Sequence, residues 1–192
     1  KGQHPILLRG EEGVGKERLS QAIHNAGERA AGRYIALNCQ LLPQAQGLRE
    51  LLGSDANEEE AGQLSKFELA NGGTLYLEQI EYLPAEMQSA LLQVLKTGVV
   101  IRLNSSRVIP VDVRVIAGSA ADLPLLVQQN RFRRQLFYSL QAFEIQIPPL
   151  RQRLSDIPLL VKHHLRTLEQ HFQCRFRVDD EVMAQLALYL WP

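Results

Sequence analysis

Hydrophobic residues along the chain form short runs separated by longer amphipathic stretches. Five runs are typical of short strands, because mostly apolar residues stand between turn residues: 5–9, which is expected to be buried, 33–37, 74–78, 113–117 and 143–147. Between them, apolar residues recur at helical spacing, most regularly over residues 17–24 and 85–96. Two alternating segments around a polar turn predict a hairpin: residues 99–102 and 107–111. Strands that alternate with helices predict an α/β fold, a mostly parallel sheet with helices on both faces.

The pattern changes after residue 148, where two prolines end the last strand-like segment. Residues 157–172 and 180–190 both carry helical apolar spacing, and no further strand is predicted after them. We therefore expect an α/β domain over residues 1–150 and a small helical domain over residues 151–192.

Composition and charge narrow the classes of protein. The chain has 192 residues, 45% hydrophobic, with 21 Lys and Arg against 21 Asp and Glu. A chain of this length buries roughly 70% of its unfolded surface without needing a disulfide, so Cys39 and Cys174 are expected to be reduced. The zero net charge argues against nucleic-acid binding by these residues, because binding to phosphates requires an excess of Lys and Arg. No run reaches the roughly 20 apolar residues of a membrane span, which predicts a cytoplasmic chain without membrane contact.

Residues 10–16 read Gly-Glu-Glu-Gly-Val-Gly-Lys and fit the phosphate-binding pattern G-x-x-x-x-G-K between a predicted strand and a predicted helix. The glycines let consecutive backbone N–H groups face phosphate oxygens, and Lys16 reaches the outer phosphates. Glu17 stands where a Ser or Thr usually binds magnesium. The predicted nucleotide-binding residues are Gly10, Glu11, Glu12, Gly13, Val14, Gly15, Lys16 and Glu17.

Further motifs occur in a characteristic order: Asn38-Cys39, residues 67–77, residues 113–117, Phe132-Arg133 and residues 148–158. With these motifs the chain resembles the central AAA+ domain of bacterial enhancer-binding regulators, the sigma-54 activators. The resemblance implies an AAA+ P-loop NTPase fold, a helical lid begun by residues 151–192, and ATP or ADP bound with Mg. It also implies self-association through AAA+ interfaces and RNA polymerase as a partner. DNA binding would belong to a domain outside these residues, and the lid arginine that senses nucleotide would lie beyond Pro192.

The chain departs from that family at the end of the third strand. The resemblance implies an Asp that holds the magnesium shell and a Glu that activates water, but Glu78 and Gln79 occupy these positions. Glu78 keeps a negative charge and is expected to be a weak magnesium ligand. Gln79 is a neutral amide that cannot take a proton, and loss of a positioned general base costs a factor of about 10²–10⁴ in rate.

A second departure concerns the arginines that the family directs at a neighbouring subunit's nucleotide. Arg133 matches the first, while Ser139 occupies the position of the second. Arginine fingers are worth a factor of about 10³–10⁵ in P-loop enzymes. Ser119 and Asp122 stand where the family has polar sensor residues. The resulting catalytic set, Glu78, Gln79 and Arg133, is therefore expected to be degenerate.

The last departure lies in residues 54–66, where active family members carry Gly-Ala-Phe-Thr-Gly-Ala to contact sigma-54. This segment contains no aromatic residue and has four carboxylates, and its residues 56–61 are expected to be a solvated loop or helix start. The sequence thus predicts a transcription regulator that binds ATP or ADP, hydrolyses it poorly and acts with the main sigma factor. An active sigma-54-dependent ATPase and an interaction scaffold with a vestigial P-loop remain alternatives.

Overall fold

The computed structural model describes residues 4–42, 46–56 and 61–191. The chain separates into two compact units, Lys1–Ile147 and Pro148–Pro192, here called the α/β unit and the helical unit. The strands of the α/β unit are β1 (Ile6–Arg9), β2 (Tyr34–Asn38), β3 (Thr74–Glu78), β4 (Val99–Ile101), β5 (Val108–Pro110), β6 (Arg114–Ser119) and β7 (Phe143–Gln146). Its helices are α1 (Lys16–Asn25), α2 (Gly47–Leu52), α3 (Lys66–Leu69), α4 (Ala85–Thr97), α5 (Leu123–Gln128) and α6 (Arg134–Leu140). The helical unit contains α7 (Ile157–Phe172) and α8 (Asp180–Leu188).

Five strands form one parallel sheet in the order β2-β3-β6-β1-β7. Strand β1 therefore lies between β6 and β7, which follow it much later in the chain. Strands β4 and β5 pair antiparallel, which confirms the predicted hairpin. The predicted parallel sheet is also confirmed.

Side chains alternate between the two faces of the sheet, and each face carries its own core. On one face the strand residues Leu75 and Leu77 pack in a cluster that includes Met87 and Leu91 of α4. On the other face a smaller cluster contains the following residues: Ile6, Leu8, Tyr76, Ile116 and Ile147, with Leu19 and Ile23 of α1 packed against them. Helices thus cover both faces, as the alternation of strands and helices predicts.

The carboxyl ends of β1, β3 and β6 meet at one edge of the sheet. Arg9, the last residue of β1, pairs with Ser119, the last residue of β6. The next residue, Gly10, donates its N–H to the Ser119 carbonyl at 3.2 Å. In open parallel sheets, ligands bind outside this edge, so the segments that follow these strands form the candidate site.

The two ends of the segment between α2 and α3 are held by backbone pairing and by ion pairs. Ser54 forms an antiparallel bridge with Gln63, and Arg102 forms ion pairs with Asp55 and Glu68. Residues 57–60, which include three of the four carboxylates of this segment, lie outside the described residues. The described part joins the α2–α3 connection to the β4–β5 hairpin.

In the helical unit, α7 has the bounds that its apolar spacing predicts. Helix α8 ends at Leu188, two residues before the predicted end at residue 190, because the backbone of Tyr189 turns to an extended conformation with ψ of 140°. Trp191 then donates its indole N–H to the Leu186 carbonyl at 2.8 Å. Within the described residues, no helix has both the length and the apolar character needed to cross a bilayer.

Candidate nucleotide-binding site

The loop between β1 and α1 has the backbone that a phosphate cradle requires. Gly13 and Gly15 have φ of 77° and 95°, in the left-handed region that strains residues with a side chain. No atom lies within 4 Å of a Cβ built on either residue, so backbone conformation alone demands glycine there. A Cβ on Gly10 would stand 2.7 Å from the Ile147 carbonyl oxygen, which explains the first glycine of the pattern by close approach.

Lys16 begins α1 and is only 7% exposed. Its Nζ donates to the carbonyl oxygens of Gly10 and Glu11, each at 2.8 Å. Burial lowers the pKa of Lys16, and nearby negative charges oppose that shift. The carboxylates responsible are, in decreasing order of effect, those of Glu81, Glu12 and Glu78. The ammonium group thus lies against the loop, and three carboxylates act on its pKa.

Glu78 ends β3 opposite Asn38, the last residue of β2. Asn38 donates from Nδ2 to Glu78 Oε2 at 3.0 Å, and its own Oδ1 accepts the N–H of Gln40. The amide therefore orients the carboxylate at the edge of the sheet. The sequence motifs gave Asn38 no role in the site. The feature that could have indicated one is its position as a polar residue at the end of β2, the strand that precedes β3 in the chain.

Gln79 follows Glu78 with φ of 52° and ψ of 53°, a left-handed conformation. Such a conformation costs a non-glycine residue about 1–2 kcal/mol and is often retained near functional sites. The Gln79 side chain faces the P-loop, with Nε2 at 3.5 Å from Glu12 Oε1. A neutral amide at this position can donate or accept a hydrogen bond, but it cannot remove a proton from water.

Arg133 lies just before α6, and its side chain is exposed. Its backbone N–H donates to Gln88 Oε1 at 2.8 Å, and its Nε donates to the Ala85 carbonyl at 3.2 Å. Gln88 itself is 1% exposed and donates from Nε2 to the carbonyls of Leu83 and Arg131. Arg133 is thus hydrogen-bonded to α4 and not, among the described contacts, to the P-loop of its own chain. Gln88 is a second residue that sequence reasoning missed.

The remaining candidate residues bond within their own segments. Ser139 donates to the Gln135 carbonyl one turn earlier in α6, at 2.9 Å. Ser119 is fully buried, and its hydroxyl oxygen accepts the N–H of Ala121 at 3.2 Å. Asp122 caps α5 by accepting a backbone N–H from its first turn. Neither expected sensor residue has a side-chain hydrogen bond to the P-loop among the described contacts.

A magnesium ion would have few protein ligands at this edge. Glu17 is exposed in the first turn of α1, and among the described residues no group of three His, Cys, Asp or Glu is placed to hold a metal. Magnesium commonly uses one or two carboxylates together with substrate phosphates and water. Glu78 fits that requirement, so the ion would arrive with the nucleotide and take its other ligands from phosphate and water.

Glu81 is a third residue that the motifs did not single out. It lies in a 3₁₀ turn, Ile80–Tyr82, directly after Gln79. Its Oε1 accepts the N–H groups of Ala120 at 3.0 Å and Ala121 at 3.3 Å. Its Oε2 is buried, and no hydrogen-bond donor in the described part of the chain reaches it. Glu81 therefore links the end of β3 to the segment after β6.

A P-loop after β1, an acidic residue at the end of β3 and a helix that begins at Lys16 define a P-loop NTPase fold. The Sigma-54 interaction domain family matches residues 1–146, and the chain belongs to this family. The resemblance to sigma-54 activators and the predicted fold class are thus confirmed.

Similarity to individual proteins agrees with this assignment. The chain is 57% identical over 192 residues to the PTS-dependent dihydroxyacetone kinase operon regulatory protein of Escherichia coli (strain K12), covering 100% of this chain and 30% of that protein. The chain thus spans less than a third of this relative.

Solved structures extend the similarity to the fold. Crystal structures of NtrX from Brucella abortus in complex with ADP and with ATP superpose with TM-scores of 0.89 and 0.87. Their sequence identities are 29% and 30%, and the matches cover 98% of this chain and 42% and 44% of the NtrX chains.

Proposed function

We propose that the chain is the central AAA+ module of a DNA-binding transcriptional regulator that binds ATP or ADP but hydrolyses ATP poorly or not at all. The observation that carries this proposal is an intact P-loop beside a strand end that presents Gln79 in place of a general base. Binding and hydrolysis are separate properties, and each has its own support.

Nucleotide binding is supported by the shape and charge of the loop. Gly13 and Gly15 hold the left-handed backbone that turns N–H groups inward, and α1 adds the positive end of its dipole. Among the described residues, Lys16 Nζ donates to two carbonyl oxygens, and phosphate oxygens are stronger acceptors for an ammonium group. The intact loop argues against a vestigial scaffold. NtrX, similar over nearly the whole chain, was solved with both ADP and ATP.

Weak hydrolysis is supported by three side chains. Gln79 cannot act as a base, and Glu78 already accepts a hydrogen bond from Asn38, which favours a role toward magnesium over a role toward water. Ser139 bonds inside its own helix and supplies no positive charge to a neighbouring subunit. These losses together argue against an active sigma-54-dependent ATPase.

We infer the class of promoter, that of the main sigma factor or that of sigma-54, from the sequence of residues 54–66. The segment has no aromatic residue, and interfaces usually depend on a few buried aromatic or arginine anchors. We therefore propose regulation at promoters of the main sigma factor, by recruitment or repression, with RNA polymerase as the partner. The full-length protein would bind DNA through another domain and self-associate through AAA+ interfaces. We extend the proposal to dihydroxyacetone kinase subunits as partners, because the chain is 57% identical to a regulatory protein of the dihydroxyacetone kinase operon.

The nucleotide proposal is tested by equilibrium titration of the protein with fluorescent ADP and ATP, together with a phosphate-release assay. Lys16→Ala is expected to abolish binding because it removes the cation nearest the phosphates. Lys96→Ala removes the same charge from an exposed position in the last turn of α4 and should bind like the parent. Failure of the parent to bind either nucleotide would refute the binding proposal. Rapid phosphate release by the oligomeric protein would refute the proposed lack of hydrolysis.

The promoter proposal is tested with purified sigma-54 and with cells that lack it. We expect no binding of the full-length protein to sigma-54 in the presence of a transition-state analogue of ATP. We also expect transcription of its target operon to persist without sigma-54. Either a stable complex or loss of transcription would overturn this part of the proposal.

A further inference from the structure

Glu81 places a carboxylate between two of the segments that form the nucleotide site. Its Oε1 is held by the backbone N–H groups of Ala120 and Ala121, which follow β6. Its Oε2 is buried and has no hydrogen-bond donor among the described residues. A buried oxygen of this kind normally has a partner, so this oxygen carries negative charge that no donor among the described residues offsets directly.

Three hydrogen bonds, joined by short stretches of backbone, connect this carboxylate to the P-loop lysine. Ala120 follows Ser119, whose carbonyl accepts the N–H of Gly10 at 3.2 Å. The carbonyl of Gly10 in turn accepts from Lys16 Nζ at 2.8 Å. Of the carboxylates that oppose the lowered pKa of Lys16, that of Glu81 has the largest effect. The P-loop lysine reaches the β- and γ-phosphates. A carboxylate that stabilises the positive charge of Lys16 therefore also repels the negative charge of the outer phosphates.

The side chains in the segment after β6 are either apolar or bonded within that segment. Ser119 is fully buried with its hydroxyl turned to Ala121, and Asp122 caps α5. Ala120 and Ala121 carry only methyl groups. Glu81 is therefore the carboxylate that accepts hydrogen bonds from Ala120 and Ala121, whereas the Asp122 carboxylate accepts one from Leu125.

We propose that Glu81 determines the phosphate selectivity of the site and favours a nucleoside diphosphate over a triphosphate. This inference rests on the proposed nucleotide binding. A third phosphate adds negative charge beside a carboxylate whose position is held by two N–H groups. At the effective dielectric constant of about 20 that suits such sites, one extra like charge about 12 Å away weakens binding about tenfold, and a closer charge weakens it more.

The test compares dissociation constants for ADP and ATP in excess Mg²⁺, measured by competition with a fluorescent nucleotide. The parent protein should prefer ADP. Glu81→Gln keeps an oxygen that can accept from Ala120 and Ala121 but removes the charge, so it should bind ATP about tenfold more tightly with little change for ADP. Glu28→Gln makes the same change at an exposed position after α1 and should keep the parent's ratio.

Several outcomes would decide against Glu81. A parent protein that prefers ATP overturns the inference without any variant, and so does an unchanged ratio in Glu81→Gln. Weaker binding of ATP in Mg²⁺ by Glu81→Gln also overturns it and would make Glu81 a ligand of the cation; repeating the titration in EDTA then shows whether the loss requires Mg²⁺. If neither the parent nor the variant binds nucleotide, both proposals are wrong. If only the variant binds, the proposed nucleotide binding of the parent fails, and the inference about its phosphate selectivity fails with it; a parent that binds both nucleotides but prefers ATP refutes the inference alone.

Discussion

Gln88 connects α4 to the segment that carries Arg133, and its replacement by Met should destabilise the α/β unit. Its side chain is 1% exposed and makes three hydrogen bonds, to the carbonyls of Leu83 and Arg131 and from the N–H of Arg133. Met has a similar length and helix propensity, so the change removes the amide while nearly preserving the volume. The backbone partners then lose the groups that satisfy them.

The expected cost follows from these three bonds. A typical hydrogen bond contributes about 0.5–1.5 kcal/mol net, and a buried group left without a partner costs about 1–3 kcal/mol. The Leu83 bond is buried, while those of Arg131 and Arg133 are partly buried and can regain some hydration. We therefore expect Gln88→Met to lower the free energy of unfolding by about 2–4 kcal/mol.

Urea unfolding followed by far-ultraviolet circular dichroism measures this loss. Tryptophan fluorescence is unsuitable because Trp191 lies in the helical unit. Gln93→Met provides the matched control, since Gln93 is exposed on the same helix, and surface changes usually stay within about 0.5 kcal/mol. A Gln88→Met variant as stable as Gln93→Met would refute the reasoning that this amide holds the Arg133 segment.

Three further predictions concern catalysis, thiol chemistry and acid stability. Gln79→Glu alone should recover little phosphate release, because catalytic groups that act as a unit are non-additive, whereas adding Ser139→Arg should recover more; full activity from the single change would contradict this. Cys39 is 2% exposed, and burial raises its pKa to about 12, so a thiol reagent at mildly alkaline pH should modify the exposed Cys174 and leave Cys39 unmodified until the protein unfolds. Hydrogen bonds lower the pKa of Asp55, first that from Ser105 and then that from Arg102, and lower the pKa of Glu68, chiefly that from Arg102; the stabilisation by these carboxylates is present above the unfolded pKa of about 4 and is lost as pH falls through the lower folded values. Arg102→Leu should therefore flatten the acid side of the stability curve measured by urea unfolding, and an unchanged slope would count against the ion pairs.

Local patterns in the sequence were enough to predict the main elements and the phosphate loop. Each sheet strand is a short apolar run, and α1, α4 and α7 follow helical spacing, so their positions depend on neighbouring residues alone. The P-loop is likewise contiguous, and its glycine positions express backbone conformation within a few residues. The substitutions at Gln79 and Ser139 were visible for the same reason. Their effect on hydrolysis stays a prediction.

Only the tertiary structure decided which distant residues meet at the site. The sheet order places β1 between β6 and β7, and no local pattern carries that information. Three contacts join residues about 40 or more positions apart: Asn38 with Glu78, Gln88 with Arg133, and Glu81 with Ala120. Ser119 has a residue type suited to a sensor, but the fold buries its hydroxyl. Hydrophobic periodicity tells which face of an element is buried, whereas the partner across that face is set by the packing of the whole chain.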